Sequence, residues 1–429
     1  MVKIALNMLW VKRKTSINLC LSITVSLCVS MIYLQFFSNP YLSKITLNDI
    51  LDFSGNFIKS LLAFGVIIVC MCLVAYACNY NIRVHSKELG LVKLAGYNNI
   101  DILKYLFVQI IAIIICSCIL SIVISIVIIP LVLYLIYEYL NISANPWYFN
   151  IDMFKQLVYL LLLILILIMF LEVRYCISKN ITDLLKNDTT AGFQQIDHII
   201  NIPNSVYIMM YVVGIYSMFA DKSFNIGFMI PSCIGAVGAY GMFYYFFPDI
   251  FKIALNKINI SGLNSVILGD VTLFMKQIKM LIIFIMLSII ILPSTVLATL
   301  DIPIAHVSAH LASLLINILL SGSLINRFMI DDFEKKEHYS NLYKIGLTKR
   351  EIKKISIQQT NYFYGTLLIL VCIYLFNIFL TFMINMNISI SVFLTILIEC
   401  ILPYVLSLIV IIIIKWRKNY GTYIRRGFT

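Results

Sequence analysis

Ten apolar runs alternate with short polar segments along the chain. They cover 17–37, 58–79, 106–136, 156–175, 205–220, 226–247, 279–300, 304–326, 360–384 and 392–414. A bilayer-spanning helix needs about 20 apolar residues, so the pattern predicts an all-α polytopic membrane protein with about ten transmembrane helices. The fifth run is the shortest and contains Gly214, which lowers helical preference. Ahead of the first run, Val2, Leu6 and Leu9 share a helical face beside Trp10, while Lys3, Asn7 and Lys14 fall elsewhere. Residues 1–16 are therefore expected to lie in the membrane interface. The run that follows is long enough to span and has no small-x-small cleavage motif after it, so it is expected to be a retained anchor.

Composition agrees: 61% of the 429 residues are hydrophobic and 12% are charged, against about 25% charged in soluble domains. The net charge of +12 does not point to nucleic acid, because the basic residues flank the apolar runs and form no patch. With the N-terminus inside, the inner segments hold 28 of the 32 Lys and Arg. The outer loops hold only Lys44, Lys59, Lys155 and Lys222. This positive-inside asymmetry puts both termini in the cytoplasm, and one missed span would erode it by swapping every later loop. The eleven cysteines include no C-x-x-C pair, so neither a zinc site nor a disulfide framework is indicated.

The polar segment after the second run, Lys87-Glu-Leu-Gly-Leu-Val-Lys-Leu-Ala-Gly96, has a fainter partner in Leu342-Tyr-Lys-Ile-Gly346 after the eighth. Gly96 and Gly346 are 250 residues apart. The duplication groups the spans as 4+2+4, with copies at 1–200 and 251–429 and a two-helix linker at 201–250. Six spans separate equivalent positions, and six is even, so the copies are expected to run parallel about an axis along the membrane normal. Their starts also match, Leu6 to Lys14 against Leu268 to Lys276, each an amphipathic lead into a span. Within the first polar segment Leu89, Val92 and Leu94 are apolar, and Lys87, Glu88 and Lys93 are charged. Gly96 reads as a helix C-cap, with a new helix starting near Asp101. In the second copy Thr348 is the expected N-cap, and Glu351 completes a capping box.

Glu88-Leu-Gly-Leu-Val-Lys-Leu-Ala-Gly96 resembles the stretch E-(I/L)-G-(I/L)-(L/V)-(K/R)-x-x-G that FtsX-like permeases carry after the second span of a four-span unit. These permeases are the membrane half of MacB-type ABC transporters. In the second copy His338 stands at the Glu position, and only Leu342 to Gly346 fits. The 4+2+4 layout is similar to that of Bce-type permeases. Those carry a large outer domain between spans 7 and 8, where this chain has only Asp301-Ile-Pro303.

The resemblance implies the permease subunit of an ABC transporter in the bacterial cytoplasmic membrane. It would couple a separate MacB/LolD-like ATPase dimer to export or removal of an amphipathic substrate such as an antimicrobial peptide. The implied ATPase contacts are Lys87, Glu88, Leu89, Gly90, Lys93, Gly96, Leu342, Lys344 and Gly346. The chain has no G-x-x-x-x-G-K-(S/T), so no cofactor site or enzymatic activity is expected in it, and ATP hydrolysis belongs to the partner. Membrane lipid is the surrounding medium. A second reading is a signalling or scaffold protein that passes ATPase motion to a sensor histidine kinase or a wall enzyme without moving cargo. A third is an ion-coupled transporter built on Glu399, a carboxylate inside an apolar run.

Other polar residues carry narrower expectations. Glu172 lies within a turn of Arg174 and is expected to snorkel or pair at the inner boundary. His306 and His310 share a helix face, but no third metal ligand is evident. Gly235, Gly238 and Gly241 recur every three residues and suit close helix packing. The run 331–338 is expected to be a solvated extension of span 8.

Overall fold

The computed structural model describes residues 7–9, 13–45, 52–84, 86–178, 203–220, 229–257, 262–300, 302–386 and 390–417. The interfacial helix expected over 1–16 lies mostly outside them. The described residues form helices and connecting turns, with no strand. Nine of the helices are long and apolar enough to cross a membrane, and Ser205–Ala220 is a shorter apolar helix. The chain is thus an all-α polytopic membrane protein of about ten spans, and the one weak run is the one that falls short.

The helices are α1 (Arg13–Phe37), α2 (Pro40–Ile45), α3 (Asp52–Val84), α4 (Ser86–Leu94), α5 (Asn99–Tyr139), α6 (Ile151–Ser178) and α7 (Asn204–Ala220). After these come α8 (Met229–Gly241), α9 (Phe247–Lys257), α10 (Leu263–Gln277), α11 (Lys279–Ala298), α12 (Pro303–Glu334), α13 (Lys336–Lys344), α14 (Lys349–Met386) and α15 (Ile390–Arg417). A π-helical turn, Met242–Phe246, joins α8 to α9. Prolines 130, 293 and 403 sit inside α5, α11 and α15, which spanning helices tolerate because neighbours re-satisfy the freed carbonyls.

The chain divides into two compact units. The first holds residues up to 199 and 302–312, and the second holds 200–301 and 313–429. In the first unit α1 packs against α3, α5 and α6. Ser117, Ser121 and Ser125 of α5 are fully buried. Ser117 Oγ donates to the Cys20 carbonyl of α1 at 3.1 Å, and Ser125 Oγ to Cys28 Sγ at 3.3 Å. At the other end Gln35 Nε2 donates to the Tyr148 carbonyl (2.7 Å) and Gln35 Oε1 accepts from the Asn150 amide (3.2 Å), tying the α5–α6 connection to α1.

In the second unit α7 and α8 form a hairpin that touches backbone to backbone. A Cβ on Gly214 would stand 2.7 Å from the Cα of Gly235, and one on Gly238 would stand 2.7 Å from the Cα of Tyr211. The space beside Gly241 is filled in the same way by the Tyr207 ring. The glycine spacing in span 6 is therefore a packing device. Phe274, Phe328 and Phe363 form an aromatic centre, with Phe274 4.3 Å from Phe328 and 5.3 Å from Phe363 between ring centroids. Such tilted and edge-on pairs follow from the ring quadrupole.

Two expectations are corrected. The run 331–338 is not solvated throughout: Asp331 and Asp332 are 1% and 2% exposed and Lys335 is half-buried, while His338 is exposed. Glu172 neither snorkels nor pairs with Arg174, being 0% exposed with both carboxylate oxygens lacking a hydrogen-bond partner among the described residues. Arg174 is exposed. Two positions along a helix are about 200° apart, so the Arg and the Glu face opposite ways.

Candidate functional site: two elbows with different seats

The polar segments after α3 and α12 fold into the same backbone shape. α3 ends at Val84 and α12 at Glu334; α4 spans Ser86–Leu94 and α13 Lys336–Lys344; α5 begins at Asn99 and α14 at Lys349. Every boundary recurs 250 residues on. Each short helix ends on a glycine with positive φ, 88° at Gly96 and 110° at Gly346, a conformation that is strained for any residue with a Cβ. At the first end Tyr97 N–H donates to the Val92 carbonyl (3.4 Å) and Gly96 N–H to that of Lys93 (3.1 Å). At the second, Leu347 N–H donates to the Leu342 carbonyl (3.2 Å) and Gly346 N–H to that of Tyr343 (3.0 Å). These are two Schellman caps in the same register.

The helices leaving the elbows start differently. Thr348 Oγ1 accepts from the Glu351 amide (3.3 Å) while Glu351 Oε2 accepts from the Thr348 amide (2.7 Å), the capping box read from the sequence. Asn98 has N-cap dihedrals but makes no side-chain cap hydrogen bond.

Beneath the elbows the two units diverge. α4 sits on an apolar cluster of Ile82, Leu89, Ile102, Tyr105, Leu106 and Cys176, flanked by Met8, Val92, Leu103, Val108 and Tyr175. α13 keeps part of that apolar footing, since Tyr339, Ile352 and Ile355, 250 residues on from Leu89, Ile102 and Tyr105, are buried, but charges are added to it. Asp331 pairs with Lys335 at 3.0 Å and accepts from Gln359 Nε2 at 3.2 Å. Lys335 is 3.9 Å from Asp270 of α10, which lies 3.5 Å from His338 Nε2 on α13. Burial raises the Asp270 carboxyl above its usual range, and Lys335 and His338 oppose that rise. Asp332 pairs with Lys415 of α15 at 3.5 Å and accepts from Ser356 Oγ at 3.3 Å. The Lys415 ammonium donates to the Ser356 carbonyl (2.9 Å) and to Thr360 Oγ1 (2.8 Å), and lies 5.1 Å from the centre of the Phe328 ring.

Register makes the contrast residue by residue. The 250-residue offset sets Ile82 against Asp332 and Leu106 against Ser356. Cys176 packs with Ile82 and Leu106 as Lys415 meets Asp332 and Ser356, which sets Cys176 against Lys415. The trio Ile82, Leu106 and Cys176 of the first seat is replaced by Asp332, Ser356 and Lys415 in the second.

Of the residues expected to contact a partner, Gly96, Lys344 and Gly346 are exposed and Lys93 is half-buried. Leu89, Gly90 and Leu342 face inward. Lys87 and Glu88 lie in α4, and their side chains are outside the described residues. Glu399 is half-buried on α15. Next to it Asn317 Nδ2 donates to Cys400 Sγ (3.8 Å) and Asn317 Oδ1 accepts from the Tyr404 hydroxyl (3.3 Å). His306 and His310 face one another with Nε2 atoms 3.2 Å apart. Among the described residues no group of three or more His, Cys, Asp or Glu is placed to hold a metal.

The sequence reading missed the charged seat. Its signal was present but split: acidic residues closing one apolar run and Lys415 closing another, with opposite sign at the same end.

Residues 60–181 match the family model described as FtsX-like permease C-terminal. The match contains all of α4, α5 and α6 with most of α3, so the first elbow and its apolar cluster lie in the matched segment. A comparison with curated proteins finds no match.

Proposed function

We propose that this chain is the membrane-spanning subunit of a bacterial ABC transporter and that its two elbows are where a separate ATPase dimer pushes. The observation that carries the reading is the pair of elbows, with one cap geometry 250 residues apart. An ATPase dimer offers two equivalent surfaces, and a chain with two matched elbows, which an even number of intervening spans would put at one membrane face, has one for each. The contacts are Lys87, Glu88, Lys93 and Gly96 on one side and Lys344 and Gly346 on the other. Gly90, Leu89 and Leu342 seat the short helices. Closure of the dimer then tilts the attached spans as rigid bodies. In this reading residues 1–200 and 251–429 are the two copies, 201–250 joins them, and both termini are cytoplasmic. The cargo is an amphipathic molecule of the antimicrobial-peptide kind.

The test uses the full-length protein reconstituted with the candidate ATPase. Gly96→Pro and Glu88→Lys are expected to insert normally and to abolish stimulation of ATP hydrolysis, whereas Glu399→Gln leaves stimulation unchanged. Normal stimulation in both elbow variants overturns the proposal. Loss of activity in Glu399→Gln alone would instead support ion coupling.

One observation favours a second reading, a relay to a sensor histidine kinase that moves no cargo. The connection from Ala298 to Pro303 is only a few residues long and leaves no outer domain there to handle a substrate. Signalling that survives when ATP-driven cargo flux is absent would select this reading.

A further inference from the structure

Glu172 has no part in the cap geometry, yet it lies at the first seat. It is on α6 one turn from Cys176, a member of the apolar cluster that holds α4. It is fully buried, and neither carboxylate oxygen finds a donor among the described residues. Among the described residues, two thiols interact with it, Cys78 from α3 and Cys176 from α6. α5 brings Tyr105 to the same cluster, and its Lys104 is exposed. α1 has no Asp, Glu, Lys or Arg over residues 17–37. The cation nearby on the elbow itself is Lys93, which lines a narrow crevice with Leu89, Asn99, Ile102, Tyr175 and Cys176.

A carboxylate that is buried in a membrane protein without a counter-charge takes up a proton, because the ionised form costs several kcal/mol. The fold does not require a carboxylate here. The same register position on α15 is Ile411, which is 1% exposed.

We propose that Glu172 is a proton-binding site that reports the position of the first elbow. It carries a proton while α4 is seated on the apolar cluster, and releases it when α4 moves and brings the Lys93 ammonium to it. The step breaks the carboxyl O–H bond, the proton passes to water, and Lys93 balances the new carboxylate. Proton binding stands by itself; its link to ATP-driven motion rests on the function proposed above.

Infrared spectroscopy of the full-length protein in lipid nanodiscs tests it. A carboxylic-acid C=O band is expected at neutral pH in the native protein and is lost in Glu172→Gln. It is also lost in Glu172→Leu, an apolar replacement in the manner of Ile411 that keeps the test valid if Gln perturbs folding. Spectra that match between native protein and variants in that region overturn the proposal. The second measurement is hydrogen exchange of residues 86–98 against pH, corrected for intrinsic rates. Native protection is expected to fall by up to about tenfold per pH unit while Glu172 titrates, and Glu172→Gln is expected to be flat. Equal slopes overturn the link to the elbow. Lys93→Ala is expected to keep the band to higher pH, and an unchanged titration overturns the role of Lys93. None of these readouts involves the ATPase, so uncoupled hydrolysis and a missing proton are separable failures.

Discussion

Both elbows rest partly on buried apolar side chains, but among the described residues the second adds buried ion pairs, under the same backbone shape. The difference is mechanical. An apolar seat is held by a force without direction, so a helix can shift on it at little cost. A buried ion pair works only in one geometry, and its partners are costly to separate. α13 is bound through His338 and Lys335 to Asp270 and Asp331, whereas α4 has Leu89 in an apolar cluster. The added ion pairs are expected to hold the second elbow more firmly than the first.

The largest effect should come from breaking a seat with one change. Lys415→Met leaves Asp332 buried without its cation and should cost about 3–5 kcal/mol in thermal unfolding of the detergent-purified protein. Adding Asp332→Leu should recover most of that loss. If the single variant is as stable as the native protein, the ion pair is not what holds the second seat.

The reverse graft is next. Ile82→Asp alone buries an unpaired carboxylate and should cost on the order of 3 kcal/mol. Ile82→Asp with Cys176→Lys rebuilds the second seat in the first unit and should restore much of the stability while slowing hydrogen exchange in 86–94. Without recovery, the registers of the two seats are not equivalent.

Smaller effects test the shared backbone. A Cβ meets nothing within 4 Å at Gly96 or Gly346, so alanine at either site pays only for positive φ, about 1–2 kcal/mol. The two losses should be alike, read as faster exchange in each short helix. A large difference between them would mean that the caps are not the same structure. The smallest contrast is at the helix starts. Thr348→Ala removes a formed capping box and should cost about 1 kcal/mol. Asn98→Ala should cost much less, because Asn98 makes no side-chain cap bond.

Much of this was legible in the chain. Apolar runs located the spans because a bilayer demands a fixed length of carbon. Gly96, Gly346 and the pair Thr348 and Glu351 announced the caps, because cap chemistry is local. The seats were not legible. The ion pair of Asp332 and Lys415 joins residues on α12 and α15, and Ser356 completes it from α14. A run reading Asp-Asp-Phe-Glu-Lys-Lys-Glu has the composition of a solvated helix until its distant partners are known. Glu172 was misread for a different reason: proximity to Arg174 in sequence was taken as proximity in space.

One dimension of the fold bears on how far the elbows reach. α5 has 41 residues and α14 has 38, which at about 1.5 Å per residue makes each nearly 60 Å long. The hydrocarbon core is only about 30 Å thick, and α11 crosses it with 20 residues. In each unit, the helix that leaves the glycine corner is therefore long enough to continue well beyond the hydrocarbon core.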